Sequence, residues 1–561
     1  MNLTVSFEDL RFTYRGGKKP ALMDICGGIQ TPHFVVIMGH GGAGKSTLCY
    51  CFNGLVPNFF RGDYKGRLLV KGREVAKHSV SEMSRTVGLV FQDFEAQLFS
   101  TTVELEMAFG PENHCLSRSE IERRIGKYLT FIGLEKFRYR EPVSLSGGQK
   151  QRLAIGSVLT LEPDVLVMDE PTTDLDPEGR KEVLSLAEKF RKENRILLIV
   201  DHEPEIALLA DQVWLMREGE VVAQGNPEAI LLDLPRLRTC GIRPLPTLEL
   251  AQQMGWPERP LTLELTLQLI KKYHPALPKQ FRSPPPSSLS PTQPILAAEE
   301  LKYFYSHPPI EALKGVDLSI GAGEFVAILG QNGSGKTTLA KHFNGLLKPS
   351  AGCMRVHGKS TVNYSHRELA RQVGYVFQNP DHQIFAKTVR EEVGFGLKAL
   401  GENPLTIENR IAEALQTVGL LGYEEKNPFA LTKGERQRVA VASVLATRPE
   451  VILLDEPTTG LDHFHQKNMM EMLKDLNRRG HTIIIITHSM GVAAEYADRI
   501  IVMKEGRVLI DGPTRSVFAD ENRLTEVSLA PPLIVQLSNR LGTEALTVDQ
   551  LVKELKSQGQ G

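Results

Sequence analysis

The hydrophobic pattern falls into two halves built on one plan. Each half opens on a strand-rich segment, residues 4–14 and 297–305. An apolar run ending on glycine follows, 34–38 into Gly39 and 325–329 into Gly330. The runs 165–168 and 483–486 are apolar throughout, not alternating, as in parallel strands buried on both faces. Strands that alternate with helical segments predict a mainly parallel α/β core. The polar, helix-rich stretches 117–137 and 406–422 predict a helical subdomain inserted into each half.

The repeat can be followed residue by residue. Lys45 returns as Lys336 at an offset of 291, and residues 52–55 return as 343–346 at the same offset. Phe91-Gln92, Asp169-Glu170-Pro171 and His202 return as Phe377-Gln378, Asp455-Glu456-Pro457 and His488 at an offset of 286. The second half has therefore lost five residues after its first loop and helix. Residues 244–255 and 531–542 repeat at 287, each followed by Leu-Thr and an amphipathic segment. The organisation expected is 1–235 and 295–517 as two large domains, small helical appendages at 236–280 and 518–561, and a linker at 281–294. The appendages either serve packing alone or help dock the halves on each other or on a partner. The Pro/Ser-rich residues 283–294 reach ~37 Å in extended geometry, enough for the two large domains to rotate face to face.

Composition narrows the class. A chain of 561 residues with net charge −1 and pI about 7.0 gives no electrostatic reason to expect nucleic acid as a partner. The six cysteines form no C-x-x-C pair, which argues for reduced thiols in a cytosolic protein rather than a metal or iron–sulfur site. The N-terminus is not a signal peptide, and no apolar run approaches the ~18–20 residues of a membrane span. A membrane role would require other chains.

The motifs point to nucleoside triphosphate chemistry. Gly39-His-Gly41-Gly42-Ala-Gly44-Lys45-Ser46 and Gly330-Gln-Asn-Gly333-Ser-Gly335-Lys336-Thr337 are phosphate-binding loops. Their glycines let backbone N–H groups wrap phosphates, their lysines reach the outer ones, and Ser46 and Thr337 offer hydroxyls to Mg²⁺. Thr47 and Thr338 continue each loop into its helix. Two apolar strands end on Asp169-Glu170 and Asp455-Glu456. The aspartates are expected in the Mg²⁺ shell, and Glu170 and Glu456 are expected to polarise the attacking water. Gln92 and Gln378 can touch both the Mg²⁺ shell and the inserted helices. His202 and His488 follow apolar strands, in place to reach a γ-phosphate. Tyr14 and Tyr305 can stack on an adenine ring, with core packing as the rival reading. Leu145-Ser146-Gly147-Gly148-Gln149 reads as a loop opening into a helix, where a serine cap and bare amides make a seat for an anion.

Together these motifs resemble the ABC ATPase family over roughly four-fifths of the chain. The resemblance implies an α/β fold of two tandem P-loop ATPase domains. Each would have a mainly parallel core sheet, an antiparallel β-subdomain and an inserted helical subdomain. It also implies ATP and Mg²⁺ as cofactors, and intramolecular pairing of the two halves. In that pairing each signature, Ser146-Gly147-Gly148-Gln149 or Thr432 with Gly434, closes on the other half's nucleotide. Asp176 and Asp462 match the family's D-loop. A narrower likeness lies at Gln378–Phe385 with 388–396, matched less closely by Gln92–Phe99 with 102–104 and 108–110. This segment is similar to the ATPases of energy-coupling factor (ECF) importers of vitamins and metal ions. That likeness implies a transmembrane coupling subunit, a small substrate-binding membrane subunit, and a peripheral place on the cytoplasmic face of the cell membrane. The alternatives are a soluble tandem ABC protein acting on ribosomes or DNA, and a tandem sugar-importer ATPase.

One departure stands out. The second signature reads Leu431-Thr432-Lys433-Gly434-Glu435. The expectation is asymmetry, with faster hydrolysis at Lys336 and Ser146 and slower turnover at Lys45 and Thr432. The rival is that Lys433 contacts phosphate and both sites turn over normally.

Overall fold

The computed structural model describes residues 4–172, 175, 177–274, 294–306 and 309–558. Most of the linker and Asp176 lie outside them. The chain divides into two compact units: Met1–Leu248 with Asp462–Phe464, and Glu249–Leu461 with His465–Gly561.

In the first unit a six-stranded sheet runs in the order Val87–Val90, Val165–Asp169, Ile196–Val200, His33–Gly39, Gln212–Arg217, Glu220–Gly225. The first five strands are parallel and the last is antiparallel. The fully apolar runs occupy the centre, buried at every position, as their lack of alternation predicts. A four-stranded antiparallel sheet, begun by Val5–Tyr14, packs its apolar face over the loop helix Lys45–Phe52. Helices Val103–Asn113, Arg118–Ile132 and Gly147–Leu159 form the inserted subdomain.

The second unit repeats both sheets. Its core order is Val373–Val376, Val451–Asp455, Thr482–Ile486, Phe325–Leu329, Arg499–Lys504, Arg507–Pro513. The expected α/β architecture, with parallel core, antiparallel subdomain and helical insertion, is thus present twice. The two appendage repeats share one hydrophobic cluster within this unit: Leu250, Ala251, Trp256 and Ile270 are buried with Val535, Leu537, Leu551 and Leu555. Gln253 Nε2 donates to Asp549 Oδ1 at 2.8 Å across the same contact. All six cysteines are free. Among the described residues no helix is long and apolar enough to cross a membrane.

Candidate functional site

In open parallel sheets, ligand sites form beyond the carboxyl ends of the strands. There, His33–Gly39 ends in the glycine loop and the helix Lys45–Phe52 begins. Gly44 is the N-cap of that helix at φ 97°, and no side chain caps the first amides. A Cβ on Gly44 would lie 2.4 Å from Ala21 O, so only glycine fits. The uncapped amides and the helix dipole make an anion seat. Lys45 is buried, and its Nζ donates to Gly39 O and His40 O, both at 2.8 Å. Burial lowers its pKa, while the charges of Glu170 and Asp169 oppose that. The second half matches: Gly335 has φ 99°, and Lys336 Nζ donates to Gly330 O and Gln331 O at 2.8 Å.

The loop hydroxyls face the strand-end aspartates. Thr337 Oγ1 donates to Asp455 Oδ2 at 2.8 Å. Tyr375 OH donates to the same oxygen at 3.0 Å. In the first half both Asp169 oxygens are buried without a donor at hydrogen-bonding geometry. Burial, helped by the Glu170 charge, raises the Asp169 pKa to about 6, against the pull of Ser46 and Lys45. A buried carboxylate short of donors beside a hydroxyl and an anion seat is a fitting donor set for a hard divalent cation. Ser46 with Asp169, and Thr337 with Asp455, are the pairs that would hold it.

The next residue turns its side chain toward the same place. Glu170 and Glu456 both have φ 48°, in the left-handed region, a strain of about 1–3 kcal/mol. Their amides bond to Val200 O at 3.0 Å and Ile486 O at 2.9 Å, which fixes that turn. Gln92 Nε2 donates to Glu170 Oε2 at 2.7 Å, and His202 Nε2 lies 2.6 Å from Oε1. In the second half His488 Nε2 lies 3.0 Å from Glu456 Oε1. A cavity of about 510 Å³ there is lined by Tyr305, Lys336, Thr337, Gln378, Asp455, Glu456 and His488. The two tyrosines are placed alike. Tyr14 OH lies 3.0 Å from Thr47 Oγ1 and its ring packs edge-on against Phe12 at 4.8 Å. Tyr305 OH lies 3.4 Å from Thr338 Oγ1 at the cavity wall, and its ring also packs edge-on, against Tyr303 at 4.8 Å.

Both signatures open helices, Gly147–Leu159 and Lys433–Leu445, through capping boxes. Their chemistry differs. Gln149 Oε1 accepts the Ser146 N–H at 3.0 Å. Glu435 Oε2 accepts both the Thr432 N–H and its hydroxyl, each at 2.9 Å, and Tyr423 OH donates to Oε1 at 3.1 Å. The Lys433 side chain covers Gly460: a Cβ there would lie 2.5 Å from Nζ.

Several supporting residues are given no role by the motifs alone. Glu106 and Glu392 are buried, and each takes two loop amides. Phe99 and Ser100 donate at 3.1 and 2.8 Å, Phe385 and Ala386 at 3.0 and 2.9 Å. Gln97 and Gln383 accept the Phe91 and Phe377 amides at 3.2 and 3.1 Å. The 286-residue offset carries both pairs, so the repeat could have flagged them. Asp201 has no such signal, because Thr487 stands at its matching position. Buried Asp201 accepts from Thr172 Oγ1 at 2.6 Å and from the amides of His202 and Glu203 at 2.7 and 2.9 Å. Asp201→Ala is expected to cost about 1–3 kcal/mol by stranding these donors, while Asp201→Asn keeps an acceptor for the two amides. Denaturant unfolding of both variants checks this.

The arrangement of paired glycine loops, strand-end Asp-Glu pairs and capped Ser- or Thr-led helices is matched by sequence. The family model for the ABC transporter matches residues 22–173 and 313–459. The chain belongs to the ABC transporter ATPase family. It is 48% identical over 97% of both chains to a protein of Caldanaerobacter subterraneus provisionally named an ABC transporter ATP-binding protein. A protein of Methanosarcina mazei with the same provisional name is 41% identical over 99% of this chain and 96% of its own. Among solved structures, cbiO1 of Clostridium perfringens, part of the ABC transporter complex cbiONQ, is 40% identical over 44% of this chain and 98% of its own, with a TM-score of 0.39. A dimeric post-hydrolysis ATP-binding cassette bound to ADP and Pi is 32% identical over 39% of this chain and 99% of its own, with a TM-score of 0.37. The protein is thus an ABC-type ATPase with two cassettes in one chain, and its cofactors are ATP and Mg²⁺.

Proposed function

We propose that this chain is the fused ATPase of an ECF-type importer for a vitamin or metal ion. ATP-driven closure of its two halves would move a transmembrane coupling subunit, which carries a small substrate-binding membrane subunit. One duplicated surface feature carries this reading. Phe99 and Phe109 form an exposed edge-to-face pair at 4.6 Å, and Phe385 and Phe395 form its counterpart at 4.7 Å. Large aromatics left 47–62% exposed twice at one offset, one of each pair on a loop pinned by a buried glutamate and the other on the following helix, suit a protein partner better than solvent.

The geometry of the site supports the following reading of its chemistry. The loop amides of residues 39–46 and 330–337, with Lys45 and Lys336, hold the phosphates. Ser46 with Asp169, and Thr337 with Asp455, would hold Mg²⁺, and Gln92 and Gln378 would stand beside it. Bound Mg²⁺ supplies positive charge against the phosphate oxygens. Glu170 and Glu456 accept the proton of a water attacking in line, and His202 and His488 orient those carboxylates. The signature residues Ser146, Gly147, Gly148 and Gln149, and Thr432 with Gly434, complete the phosphate seat. Tyr14 and Tyr305 flank the base.

The test is a quadruple Phe→Ser variant at 99, 109, 385 and 395. Retention on membranes that contain the coupling subunit should fall at least ~10-fold, since buried aromatic anchors are each worth ~2 kcal/mol. Basal ATP turnover should stay within about twofold. Unchanged retention would reject the reading.

A further inference from the structure

The two metal-site aspartates are supported differently, and the strand register explains how. Val373–Val376 pairs in parallel with Val451–Asp455, placing Tyr375 opposite Leu453. Residues two apart on a strand share a face, so Leu453 and Asp455 point the same way as Tyr375. The ring runs along the strand and brings its hydroxyl 3.0 Å from Asp455 Oδ2. Both residues are buried, 8% and 3% exposed, and the ring is held edge-on by Phe377 at 4.9 Å. Asp455 thus has two fixed donors, Thr337 and Tyr375. In the first half Leu89 pairs with Val167 in the same register, and it has no hydroxyl to offer Asp169.

We propose that Tyr375 is a positioning residue for the metal site of the second half, holding the Asp455 carboxylate so that this half takes up Mg²⁺ at lower concentration than the first. The inference rests on the reading that Asp455 helps to hold Mg²⁺. Partners that orient a ligating group typically change metal affinity by ten-fold or more. Such a partner acts on the Mg²⁺ requirement, not on the phosphate seat built by residues 330–337.

The experiment uses the full chain with Lys45→Ala, which weakens the first phosphate loop. Binding of a fluorescent ATP analogue is titrated with Mg²⁺, and Mn²⁺ binding is followed by electron paramagnetic resonance. Tyr375→Phe, which keeps the ring, should raise the half-saturating Mg²⁺ concentration about ten-fold. It should leave nucleotide binding in EDTA unchanged. Tyr375→Leu, which copies the first half, should do the same. An unchanged Mg²⁺ requirement in both variants overturns the proposal, and so does an equal loss of binding with and without Mg²⁺. Asp455→Asn separates the two levels. If it also leaves the Mg²⁺ requirement unchanged, the metal-site reading itself fails. If only the Tyr375 variants are silent, the positioning role fails alone.

Discussion

Glu456→Gln is expected to remove most of the ATP turnover, ~100-fold in phosphate release at saturating MgATP, while Glu170→Gln leaves a substantial fraction. The difference comes from the signature that each Glu site is proposed to meet on closure. The Ser146 cap uses a neutral Gln149, which takes a backbone amide. The Thr432 cap uses Glu435, whose one oxygen takes both the amide and the hydroxyl proton that a phosphate would need. Tyr423 holds that carboxylate in place. A fixed anion at the seat opposes a second anion, and moving it costs three charge-assisted hydrogen bonds. The Lys336 nucleotide, proposed to meet Ser146, should therefore turn over faster than the Lys45 nucleotide. A larger loss in Glu170→Gln would reverse the assignment. Equal losses would favour the rival in which Lys433 serves the phosphate.

Gly335→Ala should cut nucleotide binding by the second half more than ~100-fold. Two costs add. A backbone at φ 99° is one that L side chains rarely adopt, and the new Cβ would sit 2.7 Å from Ala312 O. That carbonyl belongs to a strand paired in the antiparallel sheet, so the loop must move instead. The loop is the proposed phosphate seat, and its shift would displace the amides that make it. About 3 kcal/mol of strain and clash corresponds to the ~100-fold loss. Gly44→Ala should do the same in the first half, where the Cβ would lie 2.4 Å from Ala21 O. Equilibrium binding in a Lys45→Ala or Lys336→Ala background isolates each half. Binding within about threefold of the parent would show that the loop tolerates the methyl group.

The core was legible because its signals are local and occur twice. Fully apolar runs such as 451–454 can sit only between two covered faces, and a glycine loop after a strand fixes where phosphates go. Tyr375 was not legible. In the sequence it is one more large residue in a buried strand, and only the parallel register with Leu453 brings its hydroxyl to Asp455. Asp201 was hidden because two of its three donors are backbone amides, which carry no letter, and Glu106 could be found only through the repeat. Lys433 could be seen as a departure, but not its resting place over Gly460, a pairing of side chain with missing side chain.

The eight residues from Gln92 to Phe99 are tethered at both ends. Gln97 ties back to Phe91, Glu106 grips the Phe99 and Ser100 amides, and Gln92 reaches Glu170. A tether so short has no slack. On the proposed reading, a push on the outer rings would reach the carboxamide as tension, and Glu170 would act as a strain gauge for whatever leans on the surface.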